Sequence, residues 1–169
     1  MNANRKPNRL KNYDYSSQGA YFITVCTKNR MNLFWNKESL SCRGDLWSSL
    51  QETLLSDYGA IVLEEIKRIP EIYSGTVEIP NFVIMPNHIH FLVVLHNDVS
   101  DDYGRPKVAP TTARIMQQFK GIITKRLGFS PWQKLYFDHI IRNEQDYLNH
   151  WRYIDENPIR WSEDKYYIA

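Results

Sequence analysis

A chain of 169 residues with 43% hydrophobic content is long enough to bury one core and too short for two, so a single domain over 1–169 is expected. The formal net charge is only +2, and two cysteines, Cys26 and Cys42, exclude a disulfide framework and fit a reducing compartment. No run of about 18 apolar residues occurs and no apolar stretch follows the basic N-terminus, so the reading is a soluble, cytoplasmic protein with no membrane association.

In chain order, residues 1–12 are a polar, basic arm, and residues 21–27 read as a strand through their β-branched and aromatic side chains. From about 45 to 69 the apolar residues recur at helical spacing, interrupted at Tyr58-Gly59, which fits one long helix or two short ones. Residues 77–85 and 88–95 are apolar strands joined by Pro86-Asn87, a dipeptide suited to a tight turn. Residues 97–110 lack periodicity and form a loop. The clearest helix is 112–127, with Ile115, Met116, Phe119, Ile122, Ile123 and Leu127 on one stripe, a threonine at its start and Gly128 past its end. A short strand at 135–141 leads to Asn143 as the cap of a last helix that ends near Pro158. The order β, α, β, β, α, β, α predicts an α+β fold of the ferredoxin-like kind, an antiparallel sheet with helices on one face.

Charge is segregated along the chain. Between Tyr103 and Arg142 the basic residues are Arg105, Lys107, Arg114, Lys120, Lys125, Arg126, Lys134 and Arg142, against the single acid Asp138. The N-terminal arm adds Arg5, Lys6, Arg9 and Lys11, while the acids gather at Glu52, Asp57, Glu64, Glu65, Glu71 and Glu78. Clustered lysine and arginine attract a phosphate backbone through counterion release, whatever the net charge. An aromatic content of 14% suits either a filled core or stacking on bases.

Alternate strand residues share a face, so His88 and His90 point the same way, their Cα atoms about 6.5 to 7 Å apart. Such a pair holds one metal ion or simply lines a surface. Ile89, Phe91, Val93 and Leu95 make the other face apolar, which assigns that face to the core and the histidines to the side away from it. On a wheel of about 100° per residue, Tyr147, Leu148, Trp151 and Ile154 form the buried stripe of the last helix. Tyr153 and Asn157 fall beside it, with Asp146 and His150. Tyr153 is thus either a surface tyrosine or a reactive one, and Asn157 faces whatever it faces.

The run Met85-Pro86-Asn87-His88-Ile89-His90-Phe91-Leu92-Val93 resembles the signature of the single-tyrosine HUH transposases. Asp138-His139-Ile140-Ile141-Arg142-Asn143, followed by Tyr153-Ile154-Asp155-Glu156-Asn157-Pro158, resembles the C-terminal block of the REP-associated tyrosine transposases within that group. The first strand and the helix with Phe119-Lys120 align in order, so the resemblance covers nearly the whole chain. It implies the HUH nuclease fold, with the C-terminal helix carrying the nucleophile Tyr153. It further implies that His88 and His90 bind Mg²⁺ or Mn²⁺, with Asn157 as third ligand where relatives often have glutamine. Asp138, His139 and Arg142 belong to the same block as support for the strand-to-helix junction.

The implied reaction cuts and rejoins single-stranded DNA beside a hairpin through a 5′-phosphotyrosine, in a bacterial cytoplasm, by a monomer or homodimer. Arg5, Lys6, Arg9, Arg114, Lys120, Lys125 and Arg126 would hold the phosphates. Two other functions use part of the same set. One is a metal-dependent phosphodiesterase in which the histidines activate water; the other is a domesticated relative that grips hairpin nucleic acid without turnover. A structural zinc site would need four closed ligands, and Cys26 and Cys42 do not supply the missing pair.

Overall fold

The structure, a computed structural model, describes residues 18–37, 54–96 and 110–168. Strands β1 (Gly19–Cys26), β2 (Val77–Ile84), β3 (His88–Leu95) and β4 (Phe137–Ile140) form one sheet in the order β2-β3-β1-β4. All three pairings are antiparallel. This is the ferredoxin-like α+β arrangement expected from the element order, with β1 and β3 at the centre.

The pairing of β1 with β3 sorts the side chains of both strands. Val25 faces Ile89, Ile23 faces Phe91 and Tyr21 faces Val93, while Cys26, Thr24 and Phe22 face His88, His90 and Leu92. The first set carries the main core. Helices α1 (Asp57–Ile72) and α2 (Thr112–Leu127) cover it with Val62, Ile66, Ile69, Ile115, Phe119 and Ile123, all buried. Phe91 and Phe119 meet edge to face, with centroids 5.4 Å apart. The expectation of helices on one face holds for these two. The third, α3 (Glu144–Glu156), lies over the opposite, histidine face, where His150 and Tyr153 pack on Phe22 with ring centroids 4.6 and 5.8 Å away.

Helix ends follow their local chemistry. Thr111 caps α2 by accepting the Arg114 N–H at 3.2 Å, and Gly128 ends it in the left-handed region at φ 76°. The expected bounds of 112 and 127 are those observed. Asn143 caps α3, its Oδ1 accepting the Asp146 N–H at 2.9 Å, and Glu144 and Asp146 put negative charge at the positive end of the helix. Ser56 caps α1, accepting the Gly59 N–H at 3.2 Å and donating to the Leu33 carbonyl at 2.6 Å. Tyr58-Gly59 therefore opens a helix instead of interrupting one; the stretch expected to be helical before it falls largely outside the described residues. β1 stops at Cys26, and Thr27 forms an isolated bridge with Trp132.

Along α3, Ile154 is buried and Tyr147 and Trp151 are partly buried against the core, but Leu148, expected on the buried stripe, is 47% exposed. The helix rests on one surface, the histidine face of the sheet, so a narrower stripe than the wheel predicted is covered. The N-terminal arm, Cys42 and most of the 97–110 loop lie outside the described residues. Among the described residues no helix is long and apolar enough to cross a membrane.

Candidate active site

The central pair of strands fixes the histidines. His88 and His90 are both fully buried, although they stand on the face away from the main core. Their cover comes from α3 and from the turn after it. The Tyr153 ring lies 5.2 Å from His90, and the Tyr166 and Trp161 rings lie 4.6 and 6.0 Å from His88.

Each imidazole is oriented through its Nδ1. Asn87 donates through Nδ2 to the Tyr166 carbonyl at 2.8 Å and the Arg30 carbonyl at 3.3 Å, which leaves its Oδ1 facing His88 Nδ1 at 2.9 Å. That oxygen only accepts, so His88 Nδ1 bears the proton and its Nε2 presents a lone pair. His90 Nδ1 lies 2.8 Å from Thr24 Oγ1, and the two Nε2 atoms are 3.0 Å apart. Since His88 Nε2 accepts, His90 Nε2–H donates to it and the Thr24 hydroxyl donates to His90 Nδ1. Burial holds both rings well below the ordinary histidine range, His90 at about 3, and each also feels the positive charge of Lys165. Two neutral imidazoles with Nε2 atoms converged, each held in place by a hydrogen bond at Nδ1, are positioned to take up one metal ion.

Tyr153 and Asn157 stand where the last helical turn meets this pair. Tyr153 is 38% exposed, and its hydroxyl donates to Asp164 Oδ2 at 3.4 Å. Burial and the Asp164 charge push the phenol up to about 12. Asn157 is buried; its Nδ2 donates to the same Asp164 oxygen at 3.1 Å, while its Oδ1 is enclosed without a hydrogen-bond partner. An orphaned amide carbonyl oxygen and two converged imidazole nitrogens are donors of the kinds a divalent cation takes. A cleft of about 310 Å³, lined by Tyr153, Asn157, Arg160, Asp164 and Lys165 among others, opens this corner to solvent.

The residues expected to meet DNA are distributed differently. Arg5, Lys6 and Arg9 lie outside the described residues. On α2, Lys120 donates to the Gln133 carbonyl at 2.6 Å and the Lys134 carbonyl at 3.3 Å. Arg126 pairs with Glu64 at 2.6 Å and with the buried Glu65 at 2.7 Å, bolting α2 to α1. Arg114 and Lys125 are exposed on the same helix, across the sheet from the histidines. The cations beside the histidine pair are instead Arg30 and Lys165, both over the Tyr166 ring at 5.1 and 4.8 Å.

Five participants lay outside the candidates read from the sequence: Thr24, Arg30, Asn87, Asp164 and Lys165. Thr24 and Asn87 carried a usable signal, since one faces His90 once β1 and β3 are paired and the other adjoins His88. His139 and Arg142 do support the strand-to-helix junction: the His139 ring and the Arg142 N–H reach Asp146 Oδ2 at 2.9 and 3.1 Å. His139, Asp146 and His150 also cluster closely enough to hold a cation. Their imidazoles stack with centroids 4.7 Å apart, however, and stacked rings do not aim their lone pairs at one point.

No family model matches the chain. A Haemophilus influenzae protein without a described function is 34% identical over 180 residues, which cover 97% of this chain and 93% of that protein. The REP-associated tyrosine transposase of Escherichia coli is 28% identical over 147 residues, covering 86% of this chain and 70% of that protein. Among solved structures, a REP-associated tyrosine transposase bound to a REP hairpin matches with a TM-score of 0.56 at 23% identity, over 93% of this chain and 76% of that one. At such identity the likeness is one of fold.

Proposed function

Because the chain belongs to the REP-associated tyrosine transposases, we propose that it nicks and rejoins single-stranded DNA beside a hairpin, with Tyr153 as nucleophile. His88, His90 and Asn157 would hold the divalent ion. The observation that carries this reading is the packing of the Tyr153 ring on His90, with its hydroxyl at the cleft beside Asn157. A phosphate entering that cleft would meet Tyr153, Asn157 and Lys165 on its wall, with the buried imidazoles behind the Tyr153 ring.

With a phenol held near 12, Tyr153 is protonated at neutral pH and attacks as it loses its proton. Its oxygen bonds to phosphorus, the bond from phosphorus to the 3′ oxygen breaks, and that oxygen leaves as a hydroxyl carrying the proton. The 5′-phosphotyrosine keeps the energy of the broken bond, so a DNA 3′-hydroxyl reverses the step and joins strands without ATP. Bound Mg²⁺ or Mn²⁺ would polarise the scissile phosphate and offset its growing charge. Asp164 and His90 set the direction of the phenol, one through its hydroxyl and the other through its ring.

Incubating a single-stranded hairpin substrate with Mn²⁺ and resolving the products on a denaturing gel tests the reading. The wild type should form a protein-DNA adduct, and Tyr153→Phe should lose it by about a thousandfold or more while still binding the hairpin. Cleavage that survives in Tyr153→Phe would mark a phosphodiesterase. Hairpin binding without any adduct would mark a binding protein.

A further inference from the structure

The donors assembled so far leave a dication without a counter-charge. His88 and His90 are buried and neutral, Asn157 carries no charge, and Arg30 and Lys165 both add positive potential at His88. A hard divalent ion at such a point needs an anionic oxygen. Among the described residues one carboxylate is in place: a ligand oxygen of Asp164 and the ligand nitrogens of His88 and His90 all lie within 4.8 Å of one another.

Asp164 is held there by its backbone surroundings. One oxygen accepts the Tyr166 N–H at 2.6 Å, in the turn that follows the short helix Trp161–Glu163. That turn is attached to the histidine motif by the bond from Asn87 to the Tyr166 carbonyl and by the Tyr166 and Trp161 rings on His88. The other oxygen takes the Asn157 Nδ2–H, so Asn157 and Asp164 converge and the orphaned Asn157 Oδ1 is brought to the same corner.

We propose that Asp164 is itself a ligand of the divalent ion, the anionic member of a set made with His88, His90 and Asn157. This rests on the reading that the histidine pair binds metal. A site with one carboxylate suits Mg²⁺ and Mn²⁺ better than one with neutral donors alone, and it makes the turn after α3 part of the centre.

Mn²⁺ binding to the full chain without DNA, read by calorimetry and by the loss of the free-ion electron paramagnetic resonance signal, tests it. Asp164→Asn should weaken binding about tenfold or more, and Asp164→Glu should recover part of the loss. An Asp164→Asn affinity within twofold of wild type overturns the proposal. So does a tighter one, which would mean that the carboxylate obstructs the site. Electron-nuclear double resonance on wild-type chain labelled with ¹³C at the aspartate carboxyls needs no variant: a direct Mn²⁺ coupling is expected, and its absence counts against Asp164. His88→Ala separates the two ideas. If it abolishes binding while Asp164→Asn does not, only the Asp164 proposal fails; if it leaves binding intact, the metal reading fails with it.

Discussion

Burial, more than any neighbouring charge, decides how His88 and His90 titrate. Their folded-state values lie below the 6.5 of a free imidazole, so the unfolded chain takes up protons as pH falls through about 6.5 while the folded chain does not until far lower. Acid therefore favours unfolding. With a chelator present, urea denaturation should give a stability that declines between pH 6.5 and about 4, by several kcal/mol in order of magnitude, and replacing both histidines with glutamine should flatten that limb. A wild-type profile already flat there would show the rings to be solvated. The candidate site was partly legible at this scale. A strand period of two and a helical wheel placed His88, His90, Tyr153 and Asn157 off the main core stripes, because each lies in or at the end of a regular element, while their roles came from the resemblance of the two motifs. Asp164 follows Pro158 in a turn with no period, so nothing local tied it to a histidine more than 70 positions earlier.

Elements were legible where their ends carry specific chemistry. Both ends of α2 could be read from a threonine and a glycine, and the start of α3 from Asn143, because caps satisfy backbone groups locally. Gly59 was misread, since its importance comes from a tertiary neighbour: a Cβ there would stand 2.2 Å from the Phe34 carbonyl oxygen. Gly59→Ala should accordingly destabilise the fold by about 1 to 3 kcal/mol as α1 is forced away from that strand of chain. Gly121 sits within α2 with nothing within 4 Å of its would-be Cβ, so Gly121→Ala should stabilise by about 0.5 to 1 kcal/mol. Denaturation midpoints of the two variants, moving in opposite directions, check both statements.

For the whole molecule, the order of elements was enough to predict the sheet, but not how charge is used on its surface. A run of basic residues does not disclose which of them are already engaged. Arg126 is engaged with Glu64 and Glu65, and Lys120 with two carbonyls, whereas Arg30 and Lys165 flank Tyr166 beside the histidine pair. Hairpin affinity measured against salt should separate the two groups. Changing both Arg30 and Lys165 to glutamine should reduce the slope of log affinity against log salt by about 1.4 to 1.8, the share of two phosphate contacts. Arg126→Gln should lower thermal stability and leave the slope unchanged. Equal slopes in all three proteins would place the phosphates elsewhere.

A proton already stands between the two Nε2 atoms, which are 3.0 Å apart. For both nitrogens to turn lone pairs toward one ion, that proton has only to pass to the other nitrogen of His90 while the Thr24 hydroxyl turns round to accept it. It need not leave the protein. Cation uptake by the pair is then neutral in protons, so loading acidifies no buffer and its strength does not vary with pH while the imidazoles stay uncharged. Thr24, which would touch neither ion nor DNA, in this way sets the stoichiometry of loading.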